Sequence, residues 1–287
     1  MIGKRVVGWM WAAAIAVLGA VSGMVSGIGV AQADGPRPWE MYFQAPISPI
    51  AERFHEFHGF LLVLITLITL FVLGLLLYVI VKFRASVHPV PTKTTHNTLI
   101  EVLWTVIPVL ILVVMAVPSF KLLYYVDRAP DAKMTLKVTA HQWYWSYEYP
   151  DNGNFTFDAN HIQDADLKPG QLRLYAVDNH VVLPVNTKVR VLVTSGDVMH
   201  SWFVPPAGVQ MYAVPGRLNE TWIEIDQEGT FYGSCNQICG INHGFMPIEI
   251  EAVSNDKFQQ WVAAAQKKFA RVDGEPAVRV AAGAAAQ

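Results

Sequence analysis

Two long runs of apolar positions, unbroken by charge, stand apart from everything else in this chain. Residues 59–81 hold 23 consecutive uncharged positions and residues 102–120 hold 19. At 1.5 Å rise per residue the first run makes about 34 Å of helix, enough to cross a hydrocarbon core of about 30 Å. The short link between the runs carries Lys82, Arg84 and Lys93 and no acid, so the excess of positive charge places it in the cytoplasm and both flanking segments outside. Pro108 and Pro118 fall in the second run; neighbouring helices let a membrane helix tolerate them, at the cost of a bend. Ahead of the hairpin, Lys4 and Arg5 precede another apolar stretch that ends in Ala31-Gln32-Ala33. That order is the pattern of a cleaved export signal over residues 1–33, and it demands the same orientation. A retained membrane anchor is the alternative.

Beyond residue 127 the period changes. Short alternating or β-branched runs, "MTLKVTA", "QLRLYAV", "KVRVLVTS" and "TWIEID", are separated by Gly, Pro, Asn and Asp. This pattern predicts an antiparallel all-β sandwich or barrel. The expected organisation is a signal at 1–33, an exported segment at 34–57, a transmembrane hairpin at 58–126, a β-domain at 127–261 and a disordered Ala-rich tail at 262–287.

Composition and charge agree with a membrane-anchored, exported domain. Apolar residues make up 53% of the 287 residues and charged ones 15%, richer in apolar residues than an average soluble domain. Residues 127–260 carry 9 basic and 16 acidic side chains, a net of −7, which leaves +5 on the rest of the chain. An acidic outer domain favours a basic partner, although acidity also simply keeps an exported domain soluble. There is no internal repeat and no nucleic-acid signature.

The only two cysteines fall in "SCNQICGINHGFM", residues 234–246. A Cys235–Cys239 disulfide would close a very small loop and would leave His243 and Met246 without a role. Structural zinc could use both thiolates, His243 and a second histidine. The thioether argues for copper, since a soft Met ligand beside Cys and His is the donor set of a cupredoxin electron-transfer site. His200 in "DVMHSWFVP" follows the strand-like "KVRVLVTS" and is the candidate second imidazole. One copper needs one thiolate; two thiolates can bridge two copper ions. Gly240 and Gly244 would let the loop turn tightly.

Cys235-x-x-x-Cys239-x-x-x-His243-x-x-Met246 with His200 upstream resembles the dinuclear copper A centre of cytochrome c oxidase subunit II. The resemblance extends to "EVLWTVIP", "HQWYWSYEY", "VDNHVVLPV", "VTSGDVMHSW" and "VPGRLNE". It implies a two-helix hairpin followed by a cupredoxin-like Greek-key domain, in the inner membrane of a bacterium, with the copper domain on the periplasmic side. It implies Cys235 and Cys239 as bridging ligands, His200 and His243 as terminal ones, Met246 on one copper and the Gln237 carbonyl on the other. Trp143 would admit electrons from cytochrome c, docked over Gln142, Tyr144, Glu148, Asp178 and Asp197, and haem a of subunit I would receive them, with subunit III in the same complex. Glu101, three residues before Trp104, would stand at the mouth of a proton path, although an acid at a helix N-terminus is favoured by the macrodipole in any case.

Four departures weaken other expected contacts. Gly196 stands where relatives often have an acid. Gln237 replaces a glutamate, and Gln210 and Tyr212 replace a lysine and an aspartate, around a magnesium ion shared with subunit I, which this chain should hold more weakly. A copper-free structural subunit of a quinol oxidase is the rival reading, and possession of every copper side chain argues against it. His55, His58, His88, His96, His161 and His180 have no ligand-like company in the sequence, and His141 reads as a strand residue held by hydrogen bonds.

Overall fold

The computed structural model describes residues 35–269, with residues 91, 128 and 130 excepted. The expected signal at 1–33, and residues 270–287 of the expected tail, lie outside the described residues.

Two helices form the hairpin: α1, Pro49–Lys82, and α2, Thr98–Asp127. Ser48 caps α1, its Oγ accepting from the Ala51 N–H at 3.0 Å, and Pro49 occupies the first helical position, where its missing N–H costs nothing. Residues 49–57, expected in the exported segment, are therefore already part of α1; the charges at Glu52, Arg53 and Glu56 ended the apolar run in the sequence without ending the helix. Asn97 caps α2, accepting from Ile100 N at 3.2 Å, while its own N–H donates to Glu101 Oε1 at 3.1 Å. Both helices are long and apolar enough to cross a membrane. Ile50 and Ala51, at the outer end of α1, are the only buried residues on either helix.

The rest is a β-sandwich. Its strands are β1 Met134–His141, β2 Tyr144–Tyr149, β3 Phe155–Ala159, β4 Val181–Pro184, β5 Val189–Ser195, β6 His200–Val204, β7 Val209–Ala213, β8 Asn219–Ile223, β9 Gly229–Cys235 and β10 Pro247–Val253. One sheet has the order β3-β2-β1-β5-β8 and the other β4-β10-β9-β6-β7. The pairing is mixed: β1 runs parallel to β5 and β4 parallel to β10, which corrects the all-antiparallel expectation. "QLRLYAV" is also not a strand; it folds into turns, with Leu174 at φ 68°. Inward alternation along β1, β2 and β5 fills the space between the sheets. Trp145, Trp202, Tyr147 and Tyr149 are fully buried there, whereas Trp222, opposite the exposed Arg190, is buried on the outer face of β8. Gly233 is required where β9 crosses Phe203: a Cβ would lie 2.2 Å from the Phe203 carbonyl oxygen.

A third helix, α3, Asn255–Lys268, follows β10. It corrects the expectation of disorder from residue 262. Ser254 caps it, and Phe258, Val262 and Ala265, spaced for one helical face, are buried. Trp261 and Phe269 close against Phe155 and Phe157. The buried stripe is thin and partly alanine, which is why the sequence reads as a tail.

The outer end of the hairpin is sewn to the sandwich. Ile47 N donates to Pro206 O at 3.0 Å, Asp226 N to Ile47 O at 3.1 Å and Ser48 Oγ to Ala207 O at 2.7 Å. From α2, Tyr125 packs edge-on to Trp222, whose Nε1 donates to the Tyr125 carbonyl at 3.1 Å, and the Arg53 guanidinium lies 3.5 Å over the Tyr125 ring.

Candidate metal centre

Strand pairing builds the site. β6 and β9 pair Trp202 with Cys235, so His200, at the start of β6, and Cys235, at the end of β9, emerge at one end of the same sheet. The chain then turns through Cys239 and Gly240, where φ is 126°, makes a short turn at His243–Phe245, and returns into β10. Cys235 N donates to Met246 O, which also accepts from the Trp145 indole at 3.2 Å. The loop's entry and exit are thereby tied to each other and to the core.

Five side chains and one carbonyl converge. The ligand atoms of His200, Cys235 and Cys239 lie within 4.8 Å of one another, and all three residues are buried. The two thiols are free and 3.9 Å apart, which sets aside the disulfide. On one side, Met246 Sδ is 3.2 Å from His200 Nδ1 and 3.6 Å from Cys239 Sγ. On the other, His243 Nδ1 is 3.5 Å from Cys239 Sγ and the Gln237 carbonyl 3.3 Å from Cys235 Sγ. Six donors, one a thioether, exceed a tetrahedral zinc set, and two thiols flanked by an imidazole on each side suit a pair of soft ions. The donor chemistry fits copper.

The electrostatics separate the thiols. Cys239 is pushed up to about 12, by burial first and then by the Cys235 thiol beside it, with the Trp143 indole N–H opposing. Cys235 is lowered: burial works against this, but the His200 imidazole and backbone groups favour its thiolate. His200 is raised despite burial, because Cys235 and Asp197 both hold its cationic form. A bound cation would replace that proton.

Asp197 is the residue whose role the sequence hid. Expected on a docking rim, it accepts from His200 Nε2 at 2.9 Å and from the Gln142 N–H at 2.6 Å, fixing the imidazole so that Nδ1 faces the sulfurs. An acid three residues before a candidate ligand was the available signal. The remaining expected residues are spread more widely. Gln142 and Trp143 link β1 to β2 over the metal loop: Gln142 Nε2 donates to the Cys239 carbonyl at 2.8 Å, and a Cβ on Gly240 would lie 2.9 Å from Trp143 Cζ2. Tyr144 stacks on His141, 4.7 Å between centroids, so stacking is the contact that holds that histidine, and the bare Gly196 leaves room for it. Asp178 accepts from the backbone and side chain of Asn160. Glu148 pairs with Lys137 at 3.0 Å on the neighbouring strand, four residues along β2 from Tyr144. Beside Trp143 a cavity of about 480 Å³ is lined by Asn160, His161, Gln163, Asn242 and Phe245, bringing His161 into company that the sequence did not suggest. Glu101 stands far away, in the cap of α2. Gln210 and Tyr212 lie on β7, exposed side chains of the strand that pairs with His200.

Comparison with known proteins gives the same answer. The family description "Cytochrome C oxidase subunit II, periplasmic domain" matches residues 134–253, and "Cytochrome C oxidase subunit II, transmembrane domain" matches residues 36–122. A probable cytochrome c oxidase subunit 2 of Rickettsia bellii is 52% identical over 82% of this chain and 87% of its own length. A cytochrome c oxidase subunit 2 of Phytophthora megasperma is 47% identical over 80% of this chain and 88% of its own. Among solved structures, the periplasmic domain of subunit II of cytochrome oxidase of Bradyrhizobium japonicum is 50% identical, covers 50% of this chain and 100% of that one, and superposes with a TM-score of 0.47. The hairpin, the sandwich and the cysteine loop thus lead to one conclusion: this chain belongs to the cytochrome c oxidase subunit II family.

Proposed function

We propose that this chain is the electron-entry subunit of a proton-pumping cytochrome c oxidase in a bacterial inner membrane, with the sandwich on the periplasmic side. It takes electrons from cytochrome c and passes them to haem a in subunit I, where oxygen is reduced. The observation that carries the reading is the convergence of two free thiols, two imidazoles, a thioether and a main-chain carbonyl at one end of the sandwich, with His200, Cys235, Cys239 and Met246 buried.

Cys235 and Cys239 would bridge two coppers, with His200 and Met246 on one and His243 and the Gln237 carbonyl on the other. When bound, the copper pair supplies a one-electron couple shared between two ions. The chain's own contribution is rigidity. His200 and Cys235 project from paired strands, Asp197 fixes the imidazole, and the Trp145 indole and Cys235 N–H clamp the Met246 carbonyl. Ligands held in this way move little when charge changes, which suits a relay rather than a turnover site. Trp143, over the Cys239–Gly240 backbone, is the entry side chain, and the net −7 of the outer domain steers a basic donor toward it. Glu101 would both cap α2 and receive protons for subunit I. Gln237 offers copper its carbonyl as well as a glutamate would, but gives magnesium an amide in place of a carboxylate.

The test is to express the full chain with its oxidase partners, measure copper on this subunit and record the electron-paramagnetic-resonance spectrum. Two coppers with hyperfine structure from one shared electron are expected. One copper with a mononuclear spectrum would overturn the reading.

A further inference from the structure

The Trp143 indole N–H is buried and has no hydrogen-bond partner at normal length. Such a donor loses its water on folding and regains nothing, a cost that most buried polar groups avoid. Its surroundings explain it. The ring edge that carries Nε1 lies against Gly240: a Cβ there would be 3.4 Å from Trp143 Cε2 and 2.9 Å from Cζ2. Gln142, the preceding residue, is bonded to the Cys239 carbonyl, so the turn cannot slide away from the metal loop. The residue before Gly240 is Cys239, and the indole N–H favours the thiolate form of that residue. A neutral thiol is a weak acceptor, whereas a metal-bound thiolate is charged and a much better one.

We propose that Trp143 donates a hydrogen bond from Nε1 to the Cys239 thiolate once the site is loaded, and thereby sets the reduction potential of the centre, apart from any part it has in electron entry. This rests on the copper reading above. The sequence alone carries no sign of it, since a tryptophan chosen only for its aromatic ring would serve equally as phenylalanine or tyrosine. The donor favours the more electron-rich sulfur of the reduced state, so removing it makes reduction harder. A hydrogen bond to a charged group is stronger than one to a neutral group; only the difference between the two redox states enters the potential. The expected shift is threefold to tenfold in the ratio of reduced to oxidised centre, about 30–60 mV downward at 59 mV per decade.

The decisive variant replaces Trp143 by benzothienylalanine, which keeps the fused ring and exchanges N–H for sulfur, in the intact oxidase; Trp143→Phe serves as a second variant. Two readouts are independent of turnover: the midpoint potential of the copper signal, and electron–nuclear double resonance for an exchangeable proton coupled to the shared electron. The expected result is a coupled proton that exchanges slowly in D₂O in the wild type and vanishes in both variants, together with a lower potential. A variant that keeps both the proton coupling and the potential overturns the proposal while leaving the copper reading intact. A wild type without a shared-electron signal overturns both.

Discussion

The metal end and the membrane end of this molecule are finished to different degrees. At the metal end every expected ligand is brought to one point by this chain alone, and the imidazole of His200, the carbonyl of Met246 and the amide of Gln142 each have a partner. At the membrane end only the first turns of α1 and the last turn of α2 are fastened to the sandwich, and from Phe60 to Tyr124 no large apolar side chain of either helix is buried and most are exposed. The difference separates what the chain builds for itself from what its surroundings must complete. The sandwich needs no neighbour to hold its ligands in register, whereas the hairpin's surface is made for lipid and for other membrane helices.

The comparison breaks most completely at Cys235, proposed above as a bridging ligand. Cys235→Ser removes one of the two thiolates, and a hydroxyl is a hard and poor ligand for copper. We expect loss of the shared-electron spectrum and fewer than two coppers per chain, while the hairpin still inserts and the chain still accumulates in the membrane. Retained electron sharing would show that Cys239 suffices.

Two glycines sharpen the contrast, because each lets backbones meet at one end. Gly233→Ala would drive a Cβ into the Phe203 carbonyl and part β9 from β6. Overpacking of this kind costs about 3 kcal/mol or more where backbone must move, and it displaces His200 and Cys235 together. Both the thermal midpoint and copper binding should fall. Gly208→Ala sits at the other end, at φ 65° and 2.9 Å from the Ala51 Cα. It should cost about 1–3 kcal/mol and loosen the start of α1 while the copper spectrum stays unchanged. If Gly208→Ala perturbs copper as strongly as Gly233→Ala, the two ends are not independent.

Ser48→Ala probes the membrane end more gently. Its hydroxyl both accepts from Ala51 N and donates to the buried Ala207 carbonyl. Loss of the cap and of that bond should cost about 1–2 kcal/mol, read as a lower midpoint of tryptophan-fluorescence unfolding in detergent. An unchanged midpoint would mean that the backbone bonds of Ile47 hold the junction alone.

Much of this division could be read in the sequence because its signals are local. Uncharged runs mark the spans, and Cys235, Cys239, His243 and Met246 lie within twelve residues, so their spacing carries the chemistry. What could not be read depends on contacts between distant segments. His200 comes to Cys235 only through the β6–β9 pairing, and Asp197 reads as a surface charge although it is bonded to the buried His200. The parallel pairs β1–β5 and β4–β10 leave no mark in alternation, which is the same for either strand direction. α3 was missed because its buried face relies on alanine and on aromatic partners more than a hundred residues away.

The smallest effect concerns Glu249, on β10 in the sheet that carries the metal loop, where the contrast is least clean: this end too contains a polar group that its surroundings serve imperfectly. The carboxylate accepts from Val177 N at 3.1 Å, yet it is held above its ordinary value of 4.5, by burial first, with Glu251 adding and Val177 and His180 opposing. A carboxyl raised in the folded state contributes stability that is fully present below its unfolded value and is lost as pH rises through the folded one. The ionised form at neutral pH is therefore a small liability of the fold. Glu249→Gln keeps an amide oxygen for the Val177 N–H and removes the charge. Its unfolding midpoint relative to wild type should therefore be higher at pH 7 than at pH 4, by about 2 °C or less for a domain of this size. The His180–Glu251 pair lies close by, so the comparison is repeated in a His180→Gln background. A difference that vanishes there would assign the pH dependence to the pair, and a difference that persists would assign it to Glu249.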